Sequence, residues 1–203
     1  MPLLHAQATF PILRWLALVW LVLWVPVYWR AWGPANFLHL CDIAIFLACI
    51  GFWRGNSLLL SMAAVGSLLG YLAWCLDAGW RLALGHHLVG GTEYMWDPRL
   101  PLPARLLSLF HVVLPVVYLY AVSRVGYDPR ALAYQSILGA VLLVAARFTN
   151  PAVNINQAFR DPILHRAWGP APVHLVLMYA GLILIFFLPV HLLLRRLFSR
   201  PMH

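Results

Sequence analysis

Charge is what this chain has least of. Lysine is absent, six residues are acidic, and charged residues make up 10% of the 203, against about a quarter in a soluble domain. With 63% of its residues hydrophobic, the chain reads as a polytopic membrane protein. The fourteen basic residues are all arginine and lie scattered along the chain. The formal net charge of +8 therefore gives no basic stripe, and no nucleic-acid partner is expected. Cysteine is also scarce. Cys41, Cys49 and Cys75 lie in apolar segments and form no metal-type spacing. No basic stretch precedes the first apolar run and no small-residue cleavage site follows it, so no signal peptide is expected.

What is abundant is long apolar runs. They predict an all-α fold with six transmembrane helices, roughly 12–29, 36–53, 57–76, 105–124, 131–148 and 172–194, each near the length of about 20 apolar residues that a bilayer requires. The fifth is short, and its Gln135 and Ser136 place it against protein rather than lipid. Gly66 and Gly70 in the third have the spacing that lets a neighbouring helix approach closely. The whole of 1–203 reads as a single six-helix transmembrane domain.

With an even number of helices both termini share one face. That face has tight turns only, at Arg54-Gly55-Asn56 and Gly126-Tyr127-Asp128-Pro129. The opposite face receives the connections 30–35, 77–104 and 149–171. Loops beyond about 12–15 residues are usually functional or disordered, and these two long ones are rich in Trp, Tyr, Leu and Pro, so they are expected to fold over the helix ends as a cap. The word RAWGPA occurs twice, at Arg30–Ala35 and Arg166–Ala171, just before the second and sixth helices. Trp32 and Trp168 suit the interfacial aromatic belt, and the Gly-Pro pair turns the chain into the next helix. A histidine follows each copy at nearly the same offset, His39 and His174. Two similar helix entrances explain the repeat; an ancestral internal duplication is the sharper alternative. The arginines divide evenly between the two faces. The Arg195, Arg196 and Arg200 cluster favours cytoplasmic termini in a bacterial inner membrane.

Most of the ionisable groups fall at the capped end. Asp77, Glu93, Asp97 and Asp161 lie in the predicted cap and Asp42 lies inside the second helix. Ionisable groups within a membrane are costly and mark a functional interior. The densest group is NFLHLCDIAIF, Asn36–Phe46. His39 and Asp42 share a helix face, and Cys41 lies about 7–8 Å below the helix start, His111 of SLFHVVLP about 9 Å below its own. The second and fourth helices run in the same direction, so Cys41, Asp42 and His111 share a depth. A thiol, a base and an orienting carboxylate are what nucleophilic catalysis requires. Ser108 shares the face of His111. Pro115 cannot donate to the His111 carbonyl, so a kink is expected there. The plainer reading is a buried apolar cysteine and a histidine bonded to a neighbouring helix.

At these residues the chain resembles a known group. NFLHLCDIAIF, GTEYMWDP, SLFHVVLPVVYLYAVSRVGYDPRAL and NPAVNINQAF look like a bacterial family of small integral membrane proteins with no known activity, and the likeness covers nearly the whole chain. The layout is more distantly similar to the YwaF-type bacterial membrane proteins. The matching positions are His39-Leu40-Cys41, His111, and Asn150, Asn154 and Asn156. That type is in turn similar to a transmembrane acyltransferase acting on ether phospholipids and, more remotely, to the androgen-induced hydrolases of fatty acid esters of hydroxy fatty acids. The resemblance implies an intramembrane lipid acyl hydrolase or acyltransferase with Cys41 as nucleophile and His111 as base. Asp42, directly after the cysteine, has no counterpart in that pattern, which leaves a carboxylate-centred chemistry open. Asn36, His39 and Ser108 would line the substrate site, with the Asn154 and Asn156 amides donating to an oxyanion.

Two other classes compete. A non-enzymatic module could use the same polar pocket to bind a lipid, a quinone or a partner protein. A metal or haem enzyme would draw on His86 and His87 with Glu93 and Asp97, or on His174 and His191. The favoured reading needs a membrane lipid, no metal and no cofactor, and implies no oligomeric state. Trp80, Trp96 and Trp168 read as interface anchors.

Overall fold

The computed structural model describes residues 9–198, and among them the regular structure is all helical, without strands. Residues 1–8 and 199–203 lie outside the description, and with them Arg200 and the ends of the expected 1–203 domain. Six principal helices follow in order: α1 Leu13–Trp32, α2 Leu40–Arg54, α3 Ser57–Leu84, α4 Leu102–Val125, α5 Ala131–Ala146 and α6 Ala171–Phe198. Four of them, α1, α3, α4 and α6, are long and apolar enough to cross a membrane. With 15 and 16 residues, α2 and α5 reach only about 22–24 Å at 1.5 Å per residue, short of a hydrocarbon core of about 30 Å.

The chief departure from the expected boundaries is α3. The sequence suggested an end at residue 76, with Asp77 in the cap. The helix instead continues through Leu84 and stops at Gly85, whose φ of 81° closes it in a left-handed cap. Nothing in DAGWRLAL breaks a helix strongly, so the first long loop starts at 85 and Asp77 belongs to the last turns of α3.

α3 is the axis of the bundle. It packs against α2, α4, α5 and α6, and half of its most apolar stretch is buried, against 11% for α1. Gly66 makes this possible on one side, since a Cβ there would overlap the Gln135 side chain of α5. Gly70 faces open space, so only one of the two glycines serves the close approach. Gln135 is itself buried, which places α5 against protein as its sequence suggested.

Both RAWGPA copies do the same local job. Gly33 and Gly169 take φ of 78° and 80°, a region open to glycine at little cost. Pro34 opens a short 3-10 turn leading into α2, and Pro170 is the residue before α6. The connections 33–39, 85–101 and 147–170 all contribute to one cavity at one end of the bundle, which is the cap the loop lengths suggested.

Candidate active site

The first turn of α2 sets the geometry. His39 is its N-cap, and Asn156 of the second long loop completes the entrance. The Leu40 amide donates to Asn156 Oδ1 at 3.0 Å, and Asn156 Nδ2 donates to the Leu38 carbonyl at 2.7 Å. A side-chain amide thus stands in for a neighbouring backbone and satisfies helix-start groups that would otherwise lack partners. Behind this clamp, Asp42 is 1% exposed. Asn36 Nδ2 donates to its Oδ2 at 2.8 Å, and the Cys41 thiol donates to its Oδ1 at 3.6 Å. An acidic residue in a helix's first turn sits well against the helix dipole. The arginine ion pairs lie at Asp97–Arg99 and Asp128–Arg130, so Asp42 is held by neutral donors.

His111 arrives from α4. Its Nδ1 lies 2.7 Å from the Ser108 carbonyl, and a carbonyl only accepts, so Nδ1 carries the proton and Nε2 holds a lone pair. The ring is stacked between Trp74, 4.7 Å away at 11°, and Phe110, 4.1 Å away at 21°. α4 is interrupted at Ser108 and Leu109, where the His111 and Val112 amides bond three residues back instead of four. At Pro115 the helix continues, and the His111 carbonyl that proline leaves unpaired takes the Cys75 thiol of α3 at 3.4 Å.

The cavity measures about 650 Å³ and brings Asn36, His39, Cys41, Asp42, Ser108 and His111 together. Asn154 also lines it; Asn156 does not. Cys41 is bonded to Asp42 rather than to His111, so the carboxylate holds the place that the sequence reading gave to the imidazole. The two asparagines expected to serve an oxyanion have other partners in this structure. Asn156 holds the α2 entrance, and Asn154 Nδ2 donates to Gln157 Oε1 and the Arg160 carbonyl, with Oδ1 accepting from the Phe159 and Arg160 amides. Both amides are engaged in building the loop. Ser108 Oγ donates to the Ala104 carbonyl at 3.3 Å and lies 2.6 Å from Tyr28 Oη, with no carboxylate or imidazole accepting its proton.

Residues that sequence reasoning missed complete the walls: Tyr28 of α1, Trp74 of α3, and Tyr94 and Arg160 of the loops. The signal for Tyr94 was present, because it lies within GTEYMWDP. Trp74 and Tyr28 sit in apolar runs that look like lipid-facing helix.

The proposed metal and haem ligands are directed to separate partners. His87 pairs with Asp77 at 2.9 Å and His86 Nδ1 lies 3.2 Å from the Leu84 carbonyl. Glu93 accepts from the Gly91 amide, and Asp97 forms a fork with Arg99. His174 bridges the Gln157 carbonyl and the Trp168 amide, and His191 bonds Tyr127. Asp77 anchors the first cap loop, taking the Leu88, Val89 and Gly90 amides on Oδ1 and the Thr92 hydroxyl on Oδ2. Asp161 does the same for the second, taking the amides of Ile163, Leu164 and Arg166. Burial alone would raise the Asp161 carboxyl, but these amides hold it below the ordinary carboxylate range.

No protein-family model, curated protein or solved structure matches this chain.

Proposed function

We propose that the protein is a multi-pass membrane enzyme that transfers or hydrolyses the acyl group of a lipid through Cys41. The observation that carries the reading is the Cys41 thiol donating to the Asp42 carboxylate in a cavity it shares with His111, whose Nε2 has a lone pair to offer. The lipid would enter at the capped end of the bundle. As Cys41 sulfur bonds to the acyl carbonyl carbon, its proton passes to Asp42. Collapse of the tetrahedral species expels the alcohol, which takes that proton, and leaves a thioester. Water or an acceptor hydroxyl then attacks, with His111 Nε2 taking its proton and returning it to the departing thiolate. Water makes the protein a hydrolase, an acceptor lipid makes it an acyltransferase, and the resemblance to the ether-phospholipid acyltransferase group supports either. In this reading α2 with its 3-10 entrance and α5 also cross the membrane, giving six spans in a bacterial inner membrane with cytoplasmic termini.

A second reading has one observation in its favour. Asn156 does not line the cavity, and Asn154 Nδ2 gives both its bonds to its own loop, as a pocket that only binds a lipid headgroup would permit. One experiment separates the two readings. Purified protein in detergent is treated with p-nitrophenyl palmitate and the Cys41 peptide is analysed by mass spectrometry. Turnover with a transient palmitoyl thioester, both lost in Cys41→Ala, supports the enzyme. Absence of acylation together with saturable lipid binding supports the module.

A further inference from the structure

The acyl-transfer reading, on which this inference rests, gives the deacylation step to His111, so what holds the imidazole in place matters as much as its lone pair. Three rings enclose it. Phe110 and Trp74 lie nearly parallel to it, and Tyr71 packs edge-on at 5.1 Å and 85°. Tyr71 and Trp74 are three residues apart on α3, so they share a helix face. Each is tied to a different part of the site. Tyr71 Oη donates to the Cys41 carbonyl at 2.8 Å, and Trp74 Nε1 donates to Tyr94 Oη at 2.8 Å. Through these two rings α3 joins the base to the entrance of α2 and to the first cap loop.

The two ties differ in what stands behind them. Tyr71 is fully buried in the core. Trp74 is half-buried, and among the described residues the bond to Tyr94 is the one its indole N–H makes. Tyr94 lies in the 3-10 turn Glu93–Met95. Thr92 bonds Asp77, and Arg105 Nη1 donates to the Met95 carbonyl at 3.1 Å, so the turn is fixed on both sides. The Tyr94 hydroxyl is also bonded with Ser108, whose carbonyl takes the His111 Nδ1 proton. The indole that lies flat on the imidazole is therefore set by the cap loop. We infer that Trp74 is the positioning residue of His111: its bond to Tyr94 keeps the indole against the imidazole and so aims Nε2 at the attacking water or hydroxyl. Without that bond the indole can turn about its own torsions, and the imidazole loses one wall. The bond changes are those of the deacylation step above. The attacking oxygen bonds to the thioester carbon, its proton goes to His111 Nε2, the carbon–sulfur bond breaks, and the proton passes to the Cys41 sulfur. Trp74 takes part in none of them.

The test separates the two half-reactions. Acylation sends the thiol proton to Asp42 and deacylation needs His111, so a positioning role for Trp74 reaches only the second. With p-nitrophenyl palmitate, the rate of the p-nitrophenol burst reads acylation. Loss of the palmitoyl group from Cys41 after excess ester is removed, followed by mass spectrometry, reads deacylation. Trp74→Phe and Tyr94→Phe delete the same hydrogen bond, and each keeps an aromatic ring. Each is expected to slow deacylation about tenfold, inside the roughly 10²-fold that a misplacement of about 1 Å can cost, while the burst rate stays within about twofold of wild type. The double variant is expected to be no slower than the single ones, because the shared bond is lost only once. Burst and deacylation falling together would mean that the pair only holds the cavity wall. Unchanged deacylation would mean that the base needs no such support, and losses that multiply in the double variant would mean that the bond is not their cause. Any of these overturns the inference. If wild-type Cys41 is never acylated, or if His111→Gln leaves deacylation unchanged, the acyl-transfer reading itself fails and this inference with it.

Discussion

The clamp at Asn156 offers the sharpest energetic test of how the site is held. Asn156→Ala deletes two hydrogen bonds, at 3.0 and 2.7 Å, and leaves the Leu40 amide and the Leu38 carbonyl without their partner. Each bond contributes about 1 kcal/mol net, and the two groups left behind are part-buried, so together the loss is about 2–3 kcal/mol. Asn156 also holds φ at 51°, a region that costs alanine roughly 1–2 kcal/mol and asparagine less. The expected loss for alanine is therefore about 3–5 kcal/mol. Asn156→Gly loses the same bonds without the backbone strain, so it should recover about 1 kcal/mol of that loss. Chemical denaturation in detergent, followed by tryptophan fluorescence, reads both numbers. Because the clamp sets the first turn of α2, the alkylation rate of Cys41 should change in parallel. An alanine variant within about 0.5 kcal/mol of wild type, the scatter of ordinary surface changes, would refute the clamp.

Other consequences follow from single contacts. Gly66→Ala should destabilise by about 1–3 kcal/mol because its Cβ meets the buried Gln135, whereas Gly70→Ala, which meets nothing, should be neutral or stabilise by up to about 1 kcal/mol; the same denaturation measurement separates them. Asp161 has a depressed folded value, so its support of the second cap loop is present above the ordinary carboxyl value of about 3.9 and is lost as pH falls through the lower folded one. Amide exchange at Leu164 and Arg166, corrected for intrinsic pH dependence, should lose protection across that window, and Asp161→Asn should remove the pH dependence. Cys49→Ser should leave Cys41 acylation unchanged, since Cys49 does not line the cavity, while Asp42→Asn should slow acylation by about 10²-fold or more through loss of the proton acceptor.

Much of this architecture was legible because apolar run length and Gly-Pro punctuation act locally. The six helices, the two long caps and the double use of RAWGPA follow from such signals. Cys41, Asp42 and His111 do line one cavity, but not at the depths counted from the rise per residue, because α2 starts at Leu40 with His39 as its non-helical N-cap rather than at residue 36. What could not be read was which group each polar side chain faces. The Cys41–Asp42 bond joins adjacent residues that a regular helix would turn apart, and it forms at a helix entrance clamped from 116 positions away. The end of α3 was misplaced because Asp77 looked like a loop acid, although its carboxylate reaches from the helix to organise the loop. Asn156 looked like a free donor because its backbone partners are 116 and 118 positions away, and Asn154 because only the folded loop brings Gln157, Phe159 and Arg160 back onto it. Trp74 and Tyr28 were hidden for the opposite reason: in a membrane sequence, an aromatic facing lipid and one lining a cavity have the same local context.

The central claim is that Cys41 is a nucleophile and not a buried apolar filler. Rapid quenching of the protein with p-nitrophenyl palmitate, followed by peptide mass spectrometry, tests it directly. The account predicts a burst of p-nitrophenol, with a palmitoyl group on the Cys41 peptide that hydroxylamine removes, and neither signal in Cys41→Ala. Turnover that persists in Cys41→Ala, or a palmitoyl group found on Ser108 instead, would contradict it.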